Sequence, residues 1–249
     1  MLSADFAGAA AAWFEQHYDM ALFVNGSAGD MSTRFTRSGC GFEECERFGL
    51  LVRDAVENLA ALDVEEEALR RISLTYHHMA LKRAEIPDLK TADADLAAAL
   101  DNLENIKRAR ANAPLLRKAE SLVEGARINL VKAKTALEED AKRADGKHPY
   151  LDIRAALFTV NKKVIVCSPF ELFSTLALQL RKDGAELFGY ANELYGYLAD
   201  RAAYDNSDYE ALFSVFARGE GERYIENIKA LLPLSTNPEQ TRSGVTLPE

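Results

Sequence analysis

The chain has 249 residues, 48% of them apolar and 28% charged, and its 39 acidic residues against 30 basic ones give a net charge of −9. That length is enough to bury one large core or two small ones, and the acidic balance argues against nucleic acid or an anionic membrane surface as the main partner, because both recruit clustered Lys and Arg. Three cysteines, Cys40, Cys45 and Cys167, are too few for a disulfide framework, and Cys40 and Cys45 lack the second ligand pair of a zinc knuckle.

In chain order, Ala9–Tyr18 reads as an Ala-rich helix with Trp13, Phe14 and His17 on adjacent faces. The short apolar run Ala21–Val24 predicts a buried strand ending in the turn-rich loop Asn25–Asp30. The glycines and backbone N–H groups of that loop suit an anion or oxyanion, although no Lys-Ser/Thr follows to make it a P-loop. Residues Phe42–Leu62 form a long predicted helix whose core face carries Phe48, Leu51, Val52, Val56 and Leu59. Ile72, Leu74 and Tyr76 alternate with Ser73, Thr75 and His77, the mark of a half-buried strand. On such a strand His77 and His78 face opposite ways and cannot hold one ion together.

From Thr91 to Ala144 two apolar stripes on charged helices predict an antiparallel helical hairpin, with Pro114 opening the second helix. Its charged faces read as solvated, and the hairpin offers a surface for self-association. Next, Ile153–Val160 alternates and pairs with the apolar run Val164–Cys167 across Asn161-Lys162, a hairpin whose second strand is expected to be buried on both faces. Ser168-Pro169 then predicts a strand-to-helix turn, with Phe170, Phe173, Leu176, Ala177 and Leu180 on the apolar face of the helix. Ser168-x-x-Glu171 fits a capping box, which is the plain structural role for Glu171. The position just past the carboxyl end of a central strand is also where open α/β sheets place ligands. Leu187–Tyr190 reads as a short strand, the stretch with Tyr204 and Tyr209-Glu210 as a polar loop, and Glu220–Leu232 as a last helix.

The expected fold is therefore α/β, a central mixed sheet flanked by helices, as one domain over 1–234 with the helical hairpin 91–144 inserted and a flexible tail at 235–249. No apolar run reaches the length of a membrane span and no basic n-region precedes Asp5, so the sequence as it stands reads as cytoplasmic.

Three pieces together resemble one family, the neutral (non-lysosomal) ceramidases and their bacterial relatives. Phe23-Val24-Asn25-Gly26-Ser27-Ala28-Gly29-Asp30-Met31-Ser32 is similar to the family's loop ending Gly-Asp-x-Ser. Val166–Phe173 is similar to its Pro-Gly-Glu-Phe turn, with Phe170 in place of Gly. Ala191-Asn192 through Gly196-Tyr197, then Tyr204 and Tyr209-Glu210, resembles its Asn-x-x-x-x-Tyr segment followed by a Tyr and a Tyr-Glu. Ser3–Phe6 and Gly219–Glu222 match the lead-ins to the first and last helices, in the same order.

The resemblance implies hydrolysis of an N-acyl sphingoid base or related lipid-like N-acyl amide at a zinc ion. It makes Glu171 and Tyr197 zinc ligands and gives catalytic roles to Ser32 and Tyr204. Gly29, Asp30 and Asn192 become the oxyanion or substrate loop. On the residues alone, Tyr195, Tyr204 and Tyr209 read as rim or packing aromatics. Two histidine ligands of the family fall upstream of the matched part, and His17, His77, His78 and His148 match neither. The chain thus corresponds to the C-terminal part of such a catalytic domain, with an incomplete zinc set. The alternative is a non-catalytic interaction protein that uses the helical hairpin as its contact surface.

Overall fold

A computed structural model describes residues 3–33, 36–60, 67–140 and 149–236. Helix α1 (Asp5–Phe14) packs against α2 (Phe42–Ala60). Gly49 permits the close approach, since a Cβ there would lie 2.7 Å from that of Ala9. The first helix ends four residues before the expected Tyr18, and the chain then turns through residues 15–19. Residues Ala21–Val24 are no strand. They make no ladder with the described residues, and Leu22, Phe23 and Val24 are exposed to 81%, 41% and 44%. Apolar character sufficed to predict burial there, but contact with the sheet edge begins only at Asn25, whose carbonyl accepts from Gly189 N–H just past β5.

Strand β1 (Ile72–Lys82) runs well past Tyr76 and carries both histidines. His77 is half-buried beside Thr75 Oγ1 at 3.2 Å, whereas His78 is exposed and 2.9 Å from Asp152 Oδ2. The alternation separates them as expected. The helical hairpin follows as α3 (Leu89–Arg108) and α4 (Ala113–Asp140). Asp88 caps α3 by accepting from the Thr91 N–H at 2.9 Å, and Asn112 accepts from Leu115 N–H at 3.1 Å at the head of α4. Lys107 and Arg108 close α3 where its dipole favours cations.

Strands β2 (Tyr150–Val160) and β3 (Lys163–Cys167) form the predicted hairpin across Asn161-Lys162. Asn161 takes the left-handed φ of 53° that a two-residue hairpin loop requires. Its amide also accepts from the N–H groups of Arg70 and Arg71 and donates to Ala68 O, tethering the segment that leads into β1. Val164 and Val166 are buried, but Ile165 and Cys167 only partly so, and β3 is not covered equally on its two faces.

The helix expected to begin at Pro169 starts later. Glu171–Leu172 forms strand β4, and α5 (Ser174–Lys182) follows with Phe173 at its N-cap. The capping box is therefore absent. Strand β5 (Ala185–Phe188) lies two residues earlier than expected, and β6 (Tyr197–Leu198) pairs with β4. The polar loop around Tyr204 and Tyr209 is instead two short helices, α6 (Arg201–Asn206) and α7 (Tyr209–Phe213). Asp200 caps α6 by accepting from Ala203 N–H at 2.9 Å. Helix α8 (Glu220–Thr236) takes in Ser235 and Thr236, which the sequence assigns to a tail; the remainder of that tail lies outside the described residues, as does His148.

The main sheet has the order β1-β2-β3-β5, antiparallel except for the β3–β5 pair, which α5 connects as a crossover. It is a mixed sheet flanked by helices. Met79, Leu81, Ile153, Ala155, Leu157, Val164, Val166 and Ala185 point from one face into the core, where Leu176 and Leu180 of α5 and Ile225 and Ile228 of α8 meet them. On the opposite face Leu74 and Tyr76 remain 40% and 50% exposed. Among the described residues no helix is long and apolar enough to cross a membrane.

Candidate functional site

The site grows from the exit of β3. The backbone of Ser168–Leu172 is gripped on one side by the returning chain: Ala191 N–H donates to Ser168 O, Tyr195 N–H to Pro169 O, and Glu171 N–H to Gly196 O at 2.9 Å. These bonds hold Glu171–Leu172 extended after a bend at Pro169-Phe170, which is why β4 displaces the helix predicted there. The loop that supplies them carries Tyr190 (φ 56°), Asn192 (φ 73°) and Gly196 (φ 75°) in the left-handed region. Two non-glycine residues in that region mark a backbone held by its surroundings.

The Asn25–Asp30 loop grips the other side. Gly29 N–H donates to Leu172 O at 3.0 Å, and Gly189 N–H donates to Asn25 O at 2.8 Å. A Cβ on Gly29 would collide with the Glu171 carbonyl oxygen, so only glycine fits. Because Leu172 already takes the Gly29 N–H, that group is not a free oxyanion donor. Asp30 caps α5: its carboxylate accepts from Ser174 N–H at 2.8 Å and from Ser174 Oγ at 2.5 Å. The expected local cap, Ser168, is buried, and its hydroxyl finds no hydrogen-bond partner among the described residues. The Tyr224 hydroxyl is buried beside it; burial strongly opposes its ionisation, and the neighbouring Ser168 hydroxyl acts the other way.

Glu171 and Tyr197 are register partners in the parallel β4–β6 pair. Side chains of such partners leave the same face of the sheet. The Tyr197 phenol is pushed up to about 12, first by burial and then by the Glu171 carboxylate, with Tyr209 and Glu210 adding to it. Tyr190 is also pushed up, by burial and by the charge of Glu171. The Tyr197 ring meets Tyr209 edge-on with centroids 6.3 Å apart, Tyr209 stacks on Phe213 at 4.1 Å, and the Arg117 guanidinium of α4 lies 5.7 Å from the Tyr209 centroid. One end of the helical hairpin therefore reaches the aromatic wall beside Tyr197.

Of the sequence-predicted residues, the fold brings Glu171 and Tyr197 together and places Gly29 against the Glu171 backbone. Ser32 is exposed, two residues beyond Asp30 on the same loop, and Asn192 is exposed in the loop opposite. Tyr204 is linked to this group through Ser214, whose hydroxyl neighbours the Tyr204 phenol and donates to Tyr197 O at 2.9 Å. The tyrosine sits on α6, donates its hydroxyl to Phe216 O at 2.8 Å, and is pushed up by burial, as a packing tyrosine is. Sequence reasoning missed Tyr190, whose only signal is its unusual φ, and undervalued Tyr209 and Glu210, already visible in the Tyr-Glu motif.

As a metal site the donors are incomplete. A carboxylate with a neighbouring phenol gives two oxygen ligands, and catalytic zinc uses three protein ligands. No group of three His, Cys, Asp or Glu side chains suited to an ion occurs among the described residues. His17 stacks on Trp13 with centroids 4.6 Å apart, and His77 and His78 keep their contacts on β1.

No protein-family model matches the sequence, and no curated protein matches it. Solved structures do. The neutral ceramidase of Pseudomonas aeruginosa superposes with a TM-score of 0.53 at 13% identity, over 99% of this chain and 44% of that one. A ceramidase complexed with C2 gives a TM-score of 0.59 at 14% identity, over 99% of this chain and 46% of that one. The chain has a ceramidase-like fold and spans less than half the length of these ceramidases.

Proposed function

We propose that this chain carries the Glu–Tyr portion of a zinc-dependent amide hydrolase site of the neutral ceramidase type, acting on a lipid-like N-acyl amide. The observation that carries the reading is the pairing of Glu171 with Tyr197, remote in sequence yet side by side across β4 and β6. A phenol pushed up to about 12 stays protonated at neutral pH and binds a metal poorly. A divalent cation shared with the Glu171 carboxylate would reverse that preference by stabilising the phenolate. Two donors leave the ion under-coordinated, so the reading requires imidazole or further carboxylate ligands from residues outside those described. In this reading Ser32 is the active-site hydroxyl, Asp30 fixes its loop by capping α5, Asn192 lines the opposite wall, and the hairpin 91–144 is an insertion in one domain spanning 1–234. Tyr204 is left out.

The incomplete donor set also favours a second reading, a non-catalytic interaction protein that binds through the helical hairpin, where Leu100, Leu115 and Val131 are exposed. Zinc titration separates the two. With the segment bearing the missing ligands joined to this chain, stoichiometric binding is expected, together with release of fatty acid from an N-acyl sphingoid base. Glu171→Ala and Tyr197→Phe are each expected to weaken that binding at least tenfold, the scale on which lost donors act. Unchanged affinity in both variants would remove Glu171 and Tyr197 as ligands. Absence of both zinc and hydrolysis would leave the interaction reading.

A further inference from the structure

On the other side of the Tyr197 strand lies a cleft of about 320 Å³, formed where the chain leaving β1 passes between α4 and α7. Ser214 links the two places, lining the cleft while donating its hydroxyl to Tyr197 O at 2.9 Å. We infer that this cleft binds a single-chain amphiphile with a carboxylate head, a fatty acid anion being the simplest example.

The cleft wall is mixed, and Ile86, Leu212 and Val215 are its larger apolar residues. Its polar side chains include two cations, Arg83 and Lys132, and the amide of Asn129. A concave site of a few hundred cubic ångströms that sets apolar side chains beside a few polar groups suits a small amphiphile, and here it is open to solvent on the side of the exposed Arg83. Lys132 is half-buried and held below the ordinary lysine range by burial alone. Neither Lys132 nor Arg83 pairs with an acid among the described residues. An ammonium drawn out of water without a counter-charge is costly, and an anion in the cleft removes that cost. The acid on the rim, Glu85, does not supply the charge: its side chain is 90% exposed and lies 3.5 Å from Lys82. Arg83 and Asn129 add N–H donors suited to the two oxygens of a carboxylate. The backbone beneath is fixed, with Ala84 N–H donating to Val215 O at 2.9 Å and Gly125 seating α4 against Leu212. A charged head held by Lys132 and Arg83, with the tail along Ile86, Leu212 and Val215, satisfies both the cations and the apolar wall.

Calorimetric titration of the whole chain with decanoate tests the assignment. Saturable binding is expected, weakened about tenfold or more in Lys132→Met and in Arg83→Gln, as for the loss of a charge-assisted hydrogen bond. Lys134→Met, which removes the same charge from an exposed position on α4, is expected to leave binding unchanged. Thermal melting of each variant identifies any that has lost the fold, and the remaining cation variant then decides. Decanoate affinity unaltered in both folded variants, equal affinity for decyltrimethylammonium, equal affinity for inorganic phosphate, or no saturable binding at all would overturn the proposal. None of these readouts depends on zinc or on amide hydrolysis, so the test stands apart from the proposed function.

Discussion

Helices α5 and α2 carry similar apolar stripes in similar charged company, and the fold treats them differently. In α5, Leu176 and Leu180 are completely buried against the sheet and α8. In α2, Leu50, Leu51 and Leu59 are 45%, 51% and 62% exposed, although Gly49 and Phe48 on the same helix make close contacts with α1 and its neighbours. The run Leu22–Val24 shares this exposure. An amphipathic pattern thus states that a helix has a face to bury, while burial itself depends on a second layer being present. Around α5 that layer comes from a β-sheet and from loops hydrogen-bonded to its approaches. Around α2, among the described residues, it comes mainly from α1, which covers one strip.

The largest expected effect tests that contrast directly. Leu176→Ala removes a fully buried side chain and is expected to cost about 2–5 kcal/mol, measured by denaturant unfolding. Leu51→Ala, on the exposed strip of α2, should change stability by no more than about 0.5 kcal/mol. A large loss at Leu51 would mean that α2 is buried in solution by something not described here.

A smaller effect comes from the long-range cap. Asp30→Ala deprives the first turn of α5 of its acceptor and should cost about 0.5–2 kcal/mol, with Asp30→Asn recovering most of it. Equal losses in both variants would show that the Asp30 charge matters rather than its acceptor geometry.

The smallest effect appears in alkali. Tyr197 is raised in the folded chain to about 12, against an ordinary phenol near 10 in the unfolded one. The folded state therefore holds its proton more tightly. Stability should be intact below the unfolded value and fall as the pH rises from about 10 towards 12. Glu171→Gln removes one of the causes and should lower the Tyr197 midpoint in a spectrophotometric titration, with a shallower loss of stability over that window. An unmoved phenol would separate the two side chains that β4 and β6 pair.

Much of the framework was legible in the chain. Period-two alternation identified β1 and β2, although in β1 the phase of Ser73, not that of Leu74 and Tyr76, faces the core; Asn161-Lys162 identified β3 as the hairpin partner of β2, and two charged amphipathic runs identified α3 and α4. Each rests on contacts between residues close in sequence, or on a face pattern that local geometry repeats. The site was half legible. Glu171, Tyr197 and the Gly29-Asp30 loop stood out through a resemblance of ordered motifs, yet the local role of Glu171 was misread. Ser168 looked like a cap because it precedes Pro169, and Glu171 looked like its reciprocal partner. Only Asp30, 144 residues away from Ser174, and the Gly196 carbonyl, brought in by a loop with left-handed residues, decided that this stretch would extend before it coils.

The division follows from the range of the forces. Short-range sterics and side-chain period set the type and order of most elements from the sequence by itself, including the β2–β3 hairpin and the helical pair α3 and α4. Which apolar faces would be covered, where α5 begins, and that a carboxylate and a phenol would stand as register partners were left to tertiary structure. Hydrogen bonds between distant segments, and layers that must be supplied from elsewhere, carry no signature in any local stretch of chain.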